Sequence, residues 1–242
     1  QIIEQSPSLQ SNTVWSNAMA GLATSSGTNW TLAMPAHESA FYRIRELDPD
    51  PAVTEYPGYE LIWHDEFKGP GINPANWWHQ QGDGTLYGSA PGWGNAELQI
   101  YTDASQNSRI VTDCDGNSAL LIEARQGAAS NDYTSAKLVT DGLQSFRYGR
   151  IEARIKLPYS QGAWPAFWLL GTNQPVVDWP GCGEIDIIEM LGGEEDTIHG
   201  SLFYVNEDHL QGGSTGAEML TSGLFSDDYH IYGIDWTPTN MT

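Results

Sequence analysis

The sequence predicts an all-β protein, a sandwich or barrel of short strands. Apolar and β-branched residues come in short runs, and clusters of Gly, Pro, Asn and Asp separate them. No segment sustains the 3.6-residue period of an amphipathic helix. The composition agrees, with 26 Gly, 13 Pro, 10 Trp and 11 Tyr in 242 residues. Such a chain is rich in turns and has aromatic surface to spare.

Taken in order, the elements divide into two regions. Residues 1–45 are rich in Ser, Thr and Asn, and Ala40-Phe41-Tyr42-Arg43-Ile44-Arg45 alternates as one strand. This region is expected to be the tail of an upstream β-module or an N-terminal extension. Residues 46–57 open on Glu46-Leu47-Asp48-Pro49-Asp50-Pro51, the kind of Pro/Asp stretch that separates domains. They read as a linker, or equally as a long N-terminal arm of the main domain. That domain is expected over 58–242. Its strand candidates are 59–63, 120–124, 150–156, 166–170, 184–189, 198–204 and 230–236. Arg150 to Lys156 alternates strictly, polar side chains to one face and apolar to the other. Turn signals fall between them at Gly82-Asp83-Gly84, Pro91-Gly92, Asp115-Gly116 and Pro180-Gly181.

Charge narrows the range of partners. Ten Lys and Arg face 31 Asp and Glu, a formal net charge of −21. Phosphate binding needs clustered cations, so nucleic acid is excluded as a partner, and anionic membrane surfaces are disfavoured. The longest apolar run, 163–170, is far short of the ~18 residues a membrane span needs. Cys114 and Cys182 do not make a disulfide framework; two separate buried thiols are expected rather than one bridge.

The most informative stretch is Gly183-Glu184-Ile185-Asp186-Ile187-Ile188-Glu189-Met190. On a helix Glu184 and Glu189 would share no face. On a regular strand Glu184 and Asp186 share one, and Glu189 falls on the other. A single extra residue at Ile187-Ile188, a β-bulge, brings all three carboxylates to one side. The two Glu Cα atoms then stand roughly 13 Å apart, at ~3.3 Å per step. Side chains leaning inward approach the ~5–5.5 Å carboxyl gap of retaining glycosidases, not the ~6.5–9.5 Å of inverting ones. Asp186 between them would split the titrations, because like charges at close range do not all ionise. Two other readings fit the same residues: a solvated acidic strand, and oxygen ligation of Ca²⁺.

Six segments in order resemble glycoside hydrolase family 16 in its laminarinase-like form, over residues 59 to about 238. They are Trp63-His64-Asp65-Glu66-Phe67, Gly92-Trp93-Gly94-Asn95-Ala96-Glu97-Leu98-Gln99, Tyr148 to Lys156, Gly162 to Trp168, Trp179 to Gly183 and Tyr229 to Trp236, around the Glu184-x-Asp186-x-x-Glu189 signature. The resemblance implies a β-jelly-roll sandwich of the concanavalin A-like type, with a glycan in a concave cleft. It implies Glu184 as nucleophile, Glu189 as acid/base and Asp186 as the residue that positions Glu184. It also implies Asn95, Glu152, Arg154, Trp164 and Trp179 as sugar contacts, while Trp168, within the apolar run Phe167-Trp168-Leu169, is expected in the core. Pyranose rings offer C–H faces that stack on indoles, and hydroxyls that need polar partners.

The implied activity is retaining endo-hydrolysis of β-1,3-glucan by a secreted or cell-surface monomer, with no cofactor needed for the chemistry. A structural Ca²⁺ is a further implication. Mixed-linkage glucan, agarose or carrageenan remain alternative polymers, and a non-catalytic glycan-binding protein an alternative class. Two departures stand out. Phe203 occupies a position where such sequences usually carry His, expected near the leaving-group side, and His199 receives no role. The family's last strands are absent after Thr237-Pro238, so this chain alone is expected to be poorly stable or inactive.

Overall fold

The computed structural model describes residues 56–242, apart from 114–115, 130–131 and 207–210, and the backbone of five strands before residue 46. The chain divides into two compact units, residues 1–55 and 56–242. In the first, β1 (Ile2–Ser6), β2 (Ser16–Asn17) and β5 (Phe41–Arg45) form an antiparallel sheet in the order β2-β1-β5. There β3 (Ala23–Ser26) and β4 (Asn29–Leu32) form a hairpin. The alternating strand at 40–45 is thus β5, and the expected linker lies outside the described residues as far as residue 55.

The second unit carries the remaining strands. β6 (Trp78–Gln80) pairs with β12 (Lys137–Val139), and β8 (Ser108–Thr112) with β9 (Ser118–Ile122). β7 (Gln99–Tyr101), β11 (Tyr133–Ser135) and β10 (Arg125–Gln126) form a small mixed sheet. β13 (Gly149–Ile155) pairs with β18 (His230–Trp236) over its whole length. The largest sheet runs β14 (Ala166–Leu170), β15 (Glu184–Glu189), β16 (Thr197–Val205), β17 (Gln211–Met219), all antiparallel. Among the described residues helical structure is limited to two 3₁₀ turns, Thr85–Tyr87 and Gly92–Gly94.

Two of these layers enclose the core. From the large sheet come Phe167, Leu169, Ile187, Ile188 and Ile198; from the β13–β18 pair come Ile151, Ile155, Tyr232 and Ile234. Met190, Leu157 and Phe225 fill the space between, and Ile188 and Met190 are almost wholly shielded from solvent. Burying each such side chain contributes about 1.5–3 kcal/mol. The alternation read over 150–156 is therefore real, and its apolar side faces inward.

Residues 59–63 do not form the expected strand; they join no ladder. Side chains hold this segment instead. The Tyr59 hydroxyl donates to Asp235 at 2.9 Å, and the Trp63 ring packs on Trp77 and Phe146. Nearby, Asp65 accepts hydrogen bonds from Asn76 and the Trp77 indole, at 2.8 and 3.0 Å. Cys182 carries a free, half-buried thiol, while Cys114 lies outside the described residues.

Candidate active site

β15 is the centre of the site, and its register explains why. Against β14, Phe167 pairs with Ile188 and Trp168 with Asp186, which leaves Ile187 without a partner. Against β16, Asp186 pairs with Ser201 and Glu189 with His199, three residues spanning two. This is the β-bulge that the carboxylate spacing requires. Glu184, Asp186 and Glu189 stand opposite Phe203, Ser201 and His199, which alternate on one face of β16. All three carboxylates therefore share one face, and the apolar residues between them go to the core. Gly183, at φ +83°, makes the left-handed turn that admits the chain to β15.

Each glutamate is held by one indole. Trp179 Nε1 donates to Glu184 Oε2 at 2.6 Å, and Trp164 Nε1 donates to Glu189 Oε1 at 2.9 Å. Both rings remain about half exposed, 47% for Trp179 and 48% for Trp164, so each also offers apolar surface to a ligand. Phe203 packs against Trp179 with ring centroids 5.6 Å apart. Phe203 thus belongs beside Glu184. The residue opposite Glu189 is His199, which sequence reasoning left without a role.

Asp186 lies deepest, 5% exposed, and shares a side-chain hydrogen bond with Glu184. Burial, reinforced by the charges of Glu184 and Glu189, pushes its pKa up to about 8. At neutral pH it therefore holds a proton that it can give as a hydrogen bond to Glu184. Glu189 is also raised above the usual carboxylate range, first by burial and then by Glu184, with the Trp164 bond opposing. Burial thus raises both Asp186 and Glu189 beside Glu184, and three carboxyls this close titrate as a set.

Lys137 is a further participant that the motifs did not single out. Its Nζ sits 3.9 Å from the centre of the Trp93 ring and 4.8 Å from that of Trp168. Burial lowers its pKa to about 8, while Glu97 and Glu184 act against that fall. Trp168 stands opposite Asp186 in the ladder, so it faces the carboxylates and not the core, contrary to expectation. The bulge is the physical reason, since it resets the parity of the ladder between Phe167 and Trp168. Trp93 itself has φ +55°, a left-handed conformation uncommon outside Gly and found mostly at constrained sites. Gly92 beside it has no Cβ to strike the Glu97 backbone, which would lie 2.9 Å away.

Asn95 reaches this side of the site through Glu97, which accepts its amide at 3.2 Å and that of Gln99 at 2.5 Å. Glu152 and Arg154 are not brought there. Since Ile151 and Ile155 point into the core, their neighbours on β13 point to the outer face of the other layer. Glu152 accepts from Arg150 at 2.8 Å and from the Tyr56 hydroxyl, and Arg154 stacks on Tyr229 at 4.1 Å. Among the described residues no three of His, Cys, Asp and Glu converge on a point where they could hold a metal ion.

Comparison with known proteins agrees with this geometry. Residues 95–242 match the model of the family described as glycosyl hydrolases family 16. A β-glucanase of Rhodothermus marinus is 40% identical over 190 residues, covering 76% of this chain and 62% of that protein. A glucan endo-1,3-β-glucosidase A1 of Niallia circulans is 34% identical over 202 residues, covering 79% of this chain and 28% of that protein. The solved laminarinase catalytic domain of Thermotoga maritima superposes with a TM-score of 0.63 at 40% identity, over 74% of this chain and 70% of that one. The chain thus spans less than two thirds of the length of either relative.

Proposed function

Because the chain belongs to glycosyl hydrolase family 16, we propose that it cleaves β-1,3-glucan internally, with retention of configuration at the anomeric carbon. The observation that carries this reading is the bulge in β15, which sets three carboxylates on one face with opposite protonation requirements. Glu184 attacks the anomeric carbon, while Glu189 gives its proton to the departing glycosidic oxygen as that bond breaks. A glycosyl ester on Glu184 results. In the second half, Glu189 takes a proton from water, the hydroxide oxygen bonds to the same carbon, and Glu184 leaves as carboxylate.

Asp186 donates its proton as a hydrogen bond to Glu184 and keeps that carboxylate oriented and ionised. Trp164 and Trp179 tether the two glutamates and offer indole surface to the pyranose rings. Asn95 joins the polar contacts on the Glu184 side. Glucan-cleaving relatives support β-1,3-glucan over galactans. The reading includes a single chain as the working unit, since every group named comes from one chain. It also includes a secreted or cell-surface location, where a glucan polymer is met. No cofactor enters either step.

Chemical rescue tests the roles. Glu189→Ala should lower turnover of laminarin about 10²–10⁴-fold. On an activated aryl laminaribioside, azide should restore the reaction and give the β-glycosyl azide. Glu184→Ser with azide should give the α-azide instead. Wild-type protein that binds laminarin without cleaving it would replace this reading with a glycan-binding one.

A further inference from the structure

Two glycines, one at each end of the β14–β15 pair, have no room for a side chain. At Gly192, which follows β15, a Cβ would collide with the Ser160 carbonyl oxygen and lie 2.7 Å from the Ala163 nitrogen. At Gly171, which follows β14, a Cβ would collide with the Cys182 carbonyl oxygen and lie 2.8 Å from Asn173 Oδ1. We propose that Gly192 and Gly171 are positioning residues. Each leaves the gap into which a loop docks, and the docked loop carries the indole that tethers Glu189 or Glu184. Their effect on the reaction rests on the roles proposed above for the two glutamates.

Backbone hydrogen bonds show what each gap holds. Gly192 N donates to Ala163 O at 2.7 Å, and Met190 N donates to Pro165 O at 3.2 Å. Ala163 and Pro165 flank Trp164, so both neighbours of that indole are fixed to the chain leaving β15. Gly162 N returns a bond to Gly192 O at 3.2 Å. At the other end, Gly171 N donates to Gly183 O at 2.9 Å. There the turn that carries Trp179 is closed by Cys182 N on Asp178 O at 3.3 Å and Gly183 N on Pro180 O at 3.0 Å.

Neither glycine adopts the left-handed φ that would itself call for glycine. What excludes a side chain is the close approach of the loop. The loops are also what would yield, since residues 158–162 and 175–179 are exposed while Ile188 and Met190 beside them are fully buried. The tethers are short, 2.9 Å for Trp164 on Glu189 and 2.6 Å for Trp179 on Glu184. A loop displaced by about 1 Å takes either indole beyond or to the limit of hydrogen-bond reach.

The Glu189 side gives a readout that simple loss of stability does not move. Glu189 is faced by Glu184 and Asp186 from its own strand, by His199 from β16 and by the Trp164 N–H. Of these, only the Trp164 N–H hangs on the loop that Gly192 admits. That N–H favours ionised Glu189, so its withdrawal carries the alkaline limb of kcat/KM to higher pH.

The test adds one methyl group at each glycine. For Gly192→Ala, kcat/KM should fall at least about tenfold further on laminaritetraose than on 2,4-dinitrophenyl β-laminaribioside, whose phenolate leaves without a proton. On laminaritetraose its alkaline limb should rise, as for Trp164→Phe. Combining the two substitutions should lose no more than the worse single variant, because both remove one tether. Gly171→Ala combined with Trp179→Phe should behave likewise. Both glycine variants should keep the circular dichroism of a β-protein. Losses that multiply in the double variants, an unmoved alkaline limb in Gly192→Ala, or its equal loss on both substrates would overturn the proposal. So would loss of the β-protein spectrum, which would assign these glycines to stability alone. Wild-type protein that cleaves neither substrate would instead remove the β-1,3-glucanase reading.

Discussion

Asp186 shows how a single residue couples stability to function. Its pKa near 8 in the fold stands well above the 3.8 of a free carboxyl. Between those two values the folded state holds a proton that the unfolded chain has released, so this group's contribution to stability falls as pH rises. Asp186→Asn removes that dependence. The variant should unfold at a higher temperature than wild type at pH 8, with the gap closing toward pH 4, as thermal unfolding at the two pH values would report. Its kcat should fall roughly 10²-fold, because Glu184 loses the partner that orients it. Trp164 acts in the opposite direction, since its N–H favours ionised Glu189. Trp164→Phe should therefore move the alkaline limb of kcat/KM to higher pH. The two glutamates and Asp186 were legible in the sequence because they lie within six consecutive positions. Lys137 and His199 were not, because cross-strand pairing and ring cages bring distant residues together without any local pattern.

At the scale of the element, β15 depends on one residue that pairs with nothing. Deleting Ile187 would restore a regular ladder in which Glu184, Asp186 and the second glutamate occupy alternate positions and still share one face. Hydrolysis of laminarin should therefore persist at a reduced rate, as reducing-sugar assays would report; its complete loss in a variant that circular dichroism still shows as a β-protein would mean that the bulge does more than set parity. Ile188→Ala, by contrast, leaves the parity intact and opens a cavity in the core. It should cost about 2–5 kcal/mol in denaturant unfolding, with the catalytic constant of the folded fraction little changed. The bulge was predictable because chemistry demanded a parity that a regular strand refuses. The role of β13 was not. Its alternation is plain in the sequence, but alternation does not say which layer a strand joins. Ile151 and Ile155 turn inward from the second layer, so Glu152 and Arg154 face away from the carboxylates. The same limit explains Trp168, whose side depends on the bulge in its neighbour.

For the whole molecule, composition pointed to the all-β fold class. The Gly and Pro content reads as turns between 13 strands among the described residues of 56–242; Trp93 and Trp179 line the site, and Tyr232 lies in the core. A net charge of −21 repels a sulfated polymer and leaves the uncharged glucan proposed as substrate unaffected. Hydrolysis of neutral laminarin should change less than about twofold between roughly 0.01 and 0.15 M salt, a range over which the screening length shortens from ~30 to ~8 Å. Any cleavage of sulfated carrageenan should be far slower and strongly salt-dependent, as reducing-sugar assays on the two polymers would report.

In the proposed mechanism Glu184 forms a covalent bond to the sugar and Glu189 does not. A 2-deoxy-2-fluoro laminaribioside with a good leaving group slows both steps and lets the intermediate accumulate. Peptide mass spectrometry of the labelled protein should find the fluorosugar on the peptide carrying residues 184–189, with fragmentation assigning it to Glu184. A label on Glu189, or an unlabelled protein that releases the inverted anomer, would contradict the account.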